Sequence, residues 1–323
     1  MSSIVGIDIA KNSFDIATLQ TNGKHRTKGK VPNSTTGFET LRGWLEQHSE
    51  PQAWIVMEAT GIYHEALAEY LYGLGYRICV MNPAQISSYA KSQLQRVKTD
   101  KTDAKLIADY GLRHADQLRA WQPEPKATRQ LRALLRRLTD LQEIHRMEEN
   151  RLSVADANVQ PSIQSMMSHT AAQIAETEKL IRDHIDNDPD LRGKRDLLVS
   201  IDGIGQKTAA QLLGELGDPL RFESARAMVA FVGLNPRLQE SGNYRGQVRI
   251  SRTGSSRLRA AMYMPGVSSL SSNAAVKALA QRMREGGKAG KQVVCAAMRK
   301  LLHIAYGVLK SGQPFDVQKA LAH

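Results

Sequence analysis

The stretch Ile4-Val-Gly-Ile-Asp-Ile9 is a β-branched run with one carboxylate, Asp8, set inside it. Branched side chains favour the pleated sheet, so the run is expected to be a strand. An unpaired carboxylate is costly to bury there, which marks Asp8 as a residue with a task. Outward from it, Phe14-Asp-Ile-Ala-Thr-Leu19 reads as a second strand after the turn-prone Lys11-Asn-Ser, and His25 to Val31 as a third strand of the same meander. Beyond Asn33-Ser-Thr-Thr-Gly37 the apolar spacing turns helical through Phe38, Leu41, Trp44 and Leu45. Ala53-Trp-Ile-Val-Met57 is a buried strand, and a helix comes next around Ala66 to Leu74. Tyr76-Arg-Ile-Cys-Val-Met81 is another strand, which Asn82-Pro83 ends. A helix starting near Thr102 or Asp103 runs through Leu106 and Ile107 to about Leu112. Three strands and then alternating helix and strand predict a mixed α/β sheet.

Trp121-Gln-Pro-Glu-Pro125 is a proline-punctuated linker. After it a polar helix is expected from Ala127 to Leu152, with Leu131, Leu134, Leu138 and Leu141 on one stripe. A second, from Ser162 to Ile185, repeats the spacing through Ile163, Met167, Thr170, Ile174, Thr177 and Ile181. Such stripes suit an antiparallel coiled-coil hairpin or an oligomerisation seam. Asp186-Asn-Asp-Pro189 closes this segment, and from Leu197 onward the chain reads as helical and short-looped, with Val293 to Leu309 as its last clear amphipathic helix. Gln239 to Thr253, rich in Gly, Ser and Arg, reads as an exposed loop or ribbon. The expected division is therefore 1–122, 123–190 and 191–323.

The 323 residues are 41% hydrophobic and 24% charged, a composition that excludes a mostly disordered chain. No apolar run approaches the roughly 20 residues of a membrane span, and Met1-Ser-Ser-Ile-Val-Gly6 lacks a charged leader. Cys79 and Cys295 are too few for a disulfide scaffold or a four-cysteine zinc site, so a reduced, cytosolic protein without a zinc finger is expected. Net charge is +12 and unevenly spread: residues 191–323 carry 21 Lys/Arg against 8 Asp/Glu. A segment that basic points to a polyanion, because neutralised phosphates release condensed counterions.

Further carboxylates share the character of Asp8. Glu58 closes the apolar Trp54-Ile-Val-Met57, and Asp100 and Asp103, in Lys98-Thr-Asp-Lys-Thr-Asp103, fall on one side of a helical turn. Four carboxylates from two strands and a helix start can converge on hard divalent cations, and two such ions about 4 Å apart assist phosphoryl transfer. The plainer alternatives are an N-cap for Asp100, a first-turn acid for Asp103 and a cap of the Thr60-Gly61 turn for Glu58.

Gly6-Ile-Asp-Ile-Ala-Lys11, Met57-Glu-Ala-Thr-Gly61 and the Lys-Thr-Asp-Lys-Thr-Asp-Ala104 run resemble the DEDD set of a RuvC-like, RNase H-fold nuclease core. With Glu240-Ser-Gly and Arg252-Thr-Gly-Ser-Ser-Arg-Leu-Arg259 downstream, the whole order is similar to the insertion-sequence 110 family of transposases, the bridge-RNA-guided recombinases. The resemblance implies a RuvC-like catalytic domain, a coiled-coil spacer and a basic, mainly helical transposase domain. It implies that Asp8, Glu58, Asp100 and Asp103 are catalytic and bind two Mg²⁺, with Mn²⁺ as the alternative. It makes Ser241 the nucleophile, through a transient serine–DNA ester. Its implied partners are donor and target duplex DNA, a structured noncoding guide RNA, and further copies of the chain, as a dimer assembling to a tetramer. The implied setting is the bacterial cytoplasm, at the nucleoid when active.

Ile201-Asp-Gly-Ile-Gly205 resembles a helix-hairpin-helix turn, where backbone N–H groups of Gly203 and Gly205 approach a phosphate with Lys207 beside it; a plain turn between packed helices is the alternative. Arg245, Arg249, Arg252, Arg257 and Arg259 surround Ser241 in sequence and suit phosphodiester contacts. From the residues alone Ser241 is an ordinary loop serine, and Tyr244 is a structural aromatic with an alternative hydroxyl nucleophile as its second reading. His64, His145, His184 and His303 read as packing or surface residues, without zinc spacing. Two rival functions remain at this level: a Holliday-junction resolvase using metal-activated water, and a non-enzymatic helix-hairpin-helix DNA-binding protein. A nucleotide-hydrolysing sugar-kinase-like fold is a weaker rival, whose phosphate-binding turns are not evident beyond Gly6-Ile-Asp8.

Overall fold

The computed structural model describes residues 3–59, 61–93, 100–237, 240–241, 244–245, 249–251 and 253–321. They form two compact units, 1–123 and 124–323. No helix among the described residues is long and apolar enough to cross a membrane.

The first unit is a five-stranded mixed sheet flanked by helices. In chain order its elements are β1 (Ile4–Ile9), β2 (Ser13–Leu19), β3 (His25–Pro32), α1 (Thr35–His48), β4 (Trp54–Glu58), α2 (Glu65–Gly73), β5 (Arg77–Met81), α3 (Pro83–Ser92) and α4 (Asp100–Arg113). The strand order is β3-β2-β1-β4-β5. The first three strands pair antiparallel, and β4 and β5 run parallel to β1. This topology is compatible with an RNase H-like domain.

Alternation along β1 sorts two cores. Val5, Ile7 and Ile9 pack with Phe38, Leu41 and Leu45 of α1 and Leu67 and Leu71 of α2. Ile4 packs on the other face with Val56, Leu106 and Ile107, so α4 covers that side. The tail of the unit is tied down by the Trp121 N–H, which donates to the Ile78 carbonyl at 2.7 Å. Both free thiols, Cys79 and Cys295, are pushed up from the usual thiol range by burial.

The second unit comprises α5 (Lys126–Leu152), α6 (Gln160–Asn187), α7 (Pro189–Val199), α8 (Gln206–Leu216), α9 (Ala225–Val232), the short strands β6 (Pro236–Arg237), β7 (Glu240–Ser241), β8 (Tyr244–Arg245) and β9 (Arg249–Ile250), then α10 (Ser256–Ser272), α11 (Ala274–Glu285), α12 (Gly290–Ser311) and α13 (Val317–Leu321). Helices α5 and α6 form an antiparallel hairpin. His184 Nε2 meets the Ala127 carbonyl at 2.8 Å, and His145 Nδ1 meets Thr170 Oγ1 at 2.9 Å. The base of the hairpin, through Leu131, Leu135, Ile181 and Ile185, shares one core with α7–α12. Arg132 Nε donates to the Gly214 carbonyl at 2.7 Å across the same junction.

One expectation holds with an addition and two are corrected. Asn82-Pro83 ends β5 but also starts α3, because Asn82 Oδ1 accepts from the Ala84 N–H at 2.9 Å and proline suits the first helical position. Asp188-Pro189 does the same for α7, whose first residue is Pro189 rather than one near Leu197. On α5 the buried stripe runs through Leu135, and Leu134 is only half-buried.

Candidate active site

Strand register brings the first two carboxylates together. Ile4 aligns with Trp54 and Gly6 with Val56 along the parallel β1–β4 pair. Asp8 and Glu58 are two residues further on, at the carboxyl ends of neighbouring strands and on the face that α4 covers. Helix α4 is seated on this face by close contact. A Cβ on Gly6 would lie 2.4 Å from the Ala104 carbonyl oxygen and from the Ala108 nitrogen. A Cβ on Gly111 would lie 2.8 Å from Ile4 Cγ2 and 2.9 Å from Val56 Cγ2. Residues 111, 108 and 104 thus step along β1 from Ile4 towards Gly6, and the start of α4, with Asp100 and Asp103, continues towards the Asp8 end. A hydrogen-bond contact at 3.0 Å between His25 Nε2 and Asp109 Oδ1 pins the same helix to β3.

Asp8, Glu58 and Asp103 are half-buried, and each has an interaction partner. The side chain of Asp100 and residues Lys98 and Thr99 lie outside the described residues. Among the described residues no three His, Cys, Asp or Glu side chains form a group that could hold a metal ion. The donor set on this face is nevertheless all carboxylate oxygen, the chemistry hard divalent cations take.

A fifth carboxylate, which residue pattern alone does not single out, faces this place. Asp15 pairs with Asp8 across β1 and β2 and is 5% exposed. Directly opposed residues of an antiparallel pair share a face, about 5 Å apart at Cβ. The β2–β3 register slips between Phe14 and Ile16, and the bulge holds Lys30 at φ 56°, the single non-glycine residue with positive φ among those described. Its N–H points to Asp15 Oδ2 at 3.4 Å. Bulges of this kind re-aim side chains beside active sites.

His64, between β4 and α2, is buried with Nδ1 lacking a hydrogen-bond partner. Burial lowers its pKa below the ordinary 6.5, against a smaller opposing contribution from Glu65. The unfolded chain therefore takes up the proton more readily, so stability is full above pH 6.5 and falls as the pH drops through and below it. Urea midpoints at pH 7.5 and 5.5 should differ less in His64→Gln than in the parent; an equal difference in both proteins would show that His64 contributes nothing.

In the second unit Ser241 lies on β7, paired with Tyr244 of β8, inside the ribbon closed by the β6–β9 pairing. The side chains of Ser241, Tyr244, Arg245 and Arg249, and the whole of Arg252, lie outside the described residues. Arg257 is exposed in the first turn of α10. Arg259 has a structural duty, donating from Nη1 to the Val232 carbonyl at 2.9 Å and the Gly254 carbonyl at 3.2 Å. At the α7–α8 turn Gly203 has φ +99°, and a Cβ there would meet Ser269 Cβ at 2.9 Å, so it packs on α10. Gly205 opens α8 with free space around it, and the exposed Lys207 pairs with Glu178 at 2.8 Å.

Residues 5–155 match a family model described as a transposase, the DEDD domain of IS110 elements, and residues 195–281 match one described as the transposase IS116/IS110/IS902 family. The chain is 34% identical to the pilin gene-inverting protein of Moraxella bovis over 97% of both proteins. The chain belongs to the IS110 family of transposases. A further family member, the transposase for insertion sequence element IS1328 of Yersinia enterocolitica, is 24% identical over 97% of this chain and 98% of its own length. As an IS110-family transposase the chain is an enzyme that cuts and rejoins DNA.

Proposed function

We propose that this transposase exchanges strands by phosphoryl transfer at a DEDD site built from Asp8, Glu58, Asp100 and Asp103, with Ser241 as the nucleophile. The observation that carries the reading is the register: Asp8 and Glu58 end neighbouring parallel strands on the face where α4 begins. Divalent metal dependence accords with membership of a DEDD family. Asp8, Glu58, Asp100 and Asp103 would hold Mg²⁺ (or Mn²⁺), which would supply charge neutralisation for the phosphoryl transfer. Ser241 Oγ forms the bond to phosphorus as the bond to the 3′-oxygen breaks; its proton passes to a carboxylate and the departing 3′-oxygen takes one up. The serine–DNA ester conserves the bond for rejoining, which hydrolysis does not.

The first unit acts as the RuvC-like domain (1–122), the hairpin (123–190) as a coiled-coil spacer through which dimers assemble to a tetramer, and 191–323 as the DNA-handling domain with its helix-hairpin-helix turn. Gly203, Gly205, Lys207, Arg245, Arg249, Arg252, Arg257 and Arg259 contact backbone phosphates, which position without reading sequence. Sequence choice is delegated to pairing with a structured guide RNA, as in other RNA-guided enzymes. The reaction takes place in the bacterial cytoplasm, at the nucleoid.

A nicked duplex that traps the ester in Mg²⁺ tests this. The parent should give a protein–DNA adduct on a denaturing gel, and Ser241→Ala should give neither adduct nor cleavage while still binding DNA. Cleavage retained in Ser241→Ala would replace the serine mechanism with water-mediated hydrolysis.

A further inference from the structure

The second unit contains a cavity of about 660 Å³ between α11, α12 and the segment from residue 313 to 320. It lies within the range of about 300–1,000 Å³ typical of small-ligand sites. Its lining includes three cations, Arg299, Lys300 and Lys319, against one carboxylate, Asp316. The rest of the lining is largely apolar, with Phe315 as its aromatic side chain. Lys300 Nζ donates to the Ala320 carbonyl at 3.2 Å, and the Phe315 N–H donates to Ser200 Oγ at 2.8 Å, so the closing segment is held from both ends.

His303 lines the cavity with its Nε2 closed off from the open space, so the ring is a wall there and not a hydrogen-bonding group. One feature of α12 suits a ligand better than mere packing. Gly307, one turn further along, has no atom within 4 Å of where a Cβ would stand. Alanine would fit and would favour the helix, so packing does not explain the glycine. Its missing side chain leaves the wall of the cavity indented.

We propose that this cavity receives one unstacked nucleotide of a nucleic-acid strand. Arg299, Lys300 and Lys319 neutralise the phosphate, and the base enters beside Phe315 over the indentation at Gly307, with the His303 ring as part of the wall. The charge excess of residues 191–323 and the family's work on DNA make a strand the occupant at hand. Base–aromatic contact is worth about 1–3 kcal/mol per base, or about 5- to 150-fold in affinity.

The test uses the full chain, a labelled eight-nucleotide single strand, the same strand with its central bases replaced by abasic spacers, and a free deoxynucleoside monophosphate. Gly307→Leu should weaken binding of the intact strand at least about 5-fold. It should leave binding of the abasic strand unchanged, and the His303 ring resonance, which the intact strand shifts in the parent, should stay still. Equal binding of the intact strand by parent and variant would overturn the proposal. So would a monophosphate that displaces the strand at equal concentration, since the site would then serve free nucleotides. If Gly307→Leu does not fold, Arg299→Glu combined with Lys300→Glu carries the same test: a His303 resonance that still shifts with the strand would refute it.

Discussion

Asp8→Asn is expected to lower Mg²⁺-dependent strand cleavage by on the order of 10³-fold or more, while the melting temperature without metal holds or rises. The two halves of this result have one cause. Asp8 and Asp15 oppose each other across β1 and β2, and Asp15 is buried. Like charges directly opposed in a sheet repel, so an amide at either position relieves the folded state. The same amide removes a hard anionic oxygen from the face that would hold the cation. Asp15→Asn should raise the melting temperature in the same way but reduce cleavage less, since Asp15 is the more deeply buried of the two. Calorimetry with and without Mg²⁺, beside a cleavage assay, separates the effects. A fall in melting temperature for both variants without metal would show that the pair is bound into a stabilising network instead.

Gly6→Ala should cost about 2–3 kcal/mol and most of the activity together. The new methyl would press on the Ala104 oxygen and the Ala108 nitrogen at 2.4 Å, which are backbone atoms with no rotamer to escape into. Helix α4 must lift from β1, and with it the start of the helix that carries Asp100 and Asp103. A loss of cleavage greater than the unfolded fraction explains, measured well below the melting temperature, is the expected signature. Unchanged stability and unchanged cleavage would mean that α4 does not sit on Gly6 in solution.

Much of the sheet was legible from residue pattern. Ile4–Ile9 and Trp54–Glu58 declare themselves because β-branched runs bounded by turn residues have few other uses. The hidden features depend on partners distant in sequence. Asp15 reads as one polar residue in an apolar strand until the register with Asp8 is known. Helices α3 and α7 were obscured by one ambiguity: an Asx-Pro pair stops the strand or helix before it, yet also caps the helix after it. Leu135 displaced Leu134 as a buried position because α8 packs against the base of α5, which adds a second partner to a stripe read for one. The family motifs were visible at Asp8, Glu58 and in the run that holds Asp100 and Asp103. Ser241 stands out only through the family resemblance, because a serine in a glycine-rich segment has no local signature.

The strand order also has a consequence for the chain during its synthesis. Asp8 and Asp15 leave the ribosome on a meander of sequence neighbours that can pair early, whereas Glu58 must be inserted beside β1 later and α4 arrives last of all. The acidic face is therefore incomplete until translation has passed residue 113. A nascent or prematurely terminated product lacking α4 would leave Ile4 and Val56 without the helix that covers them.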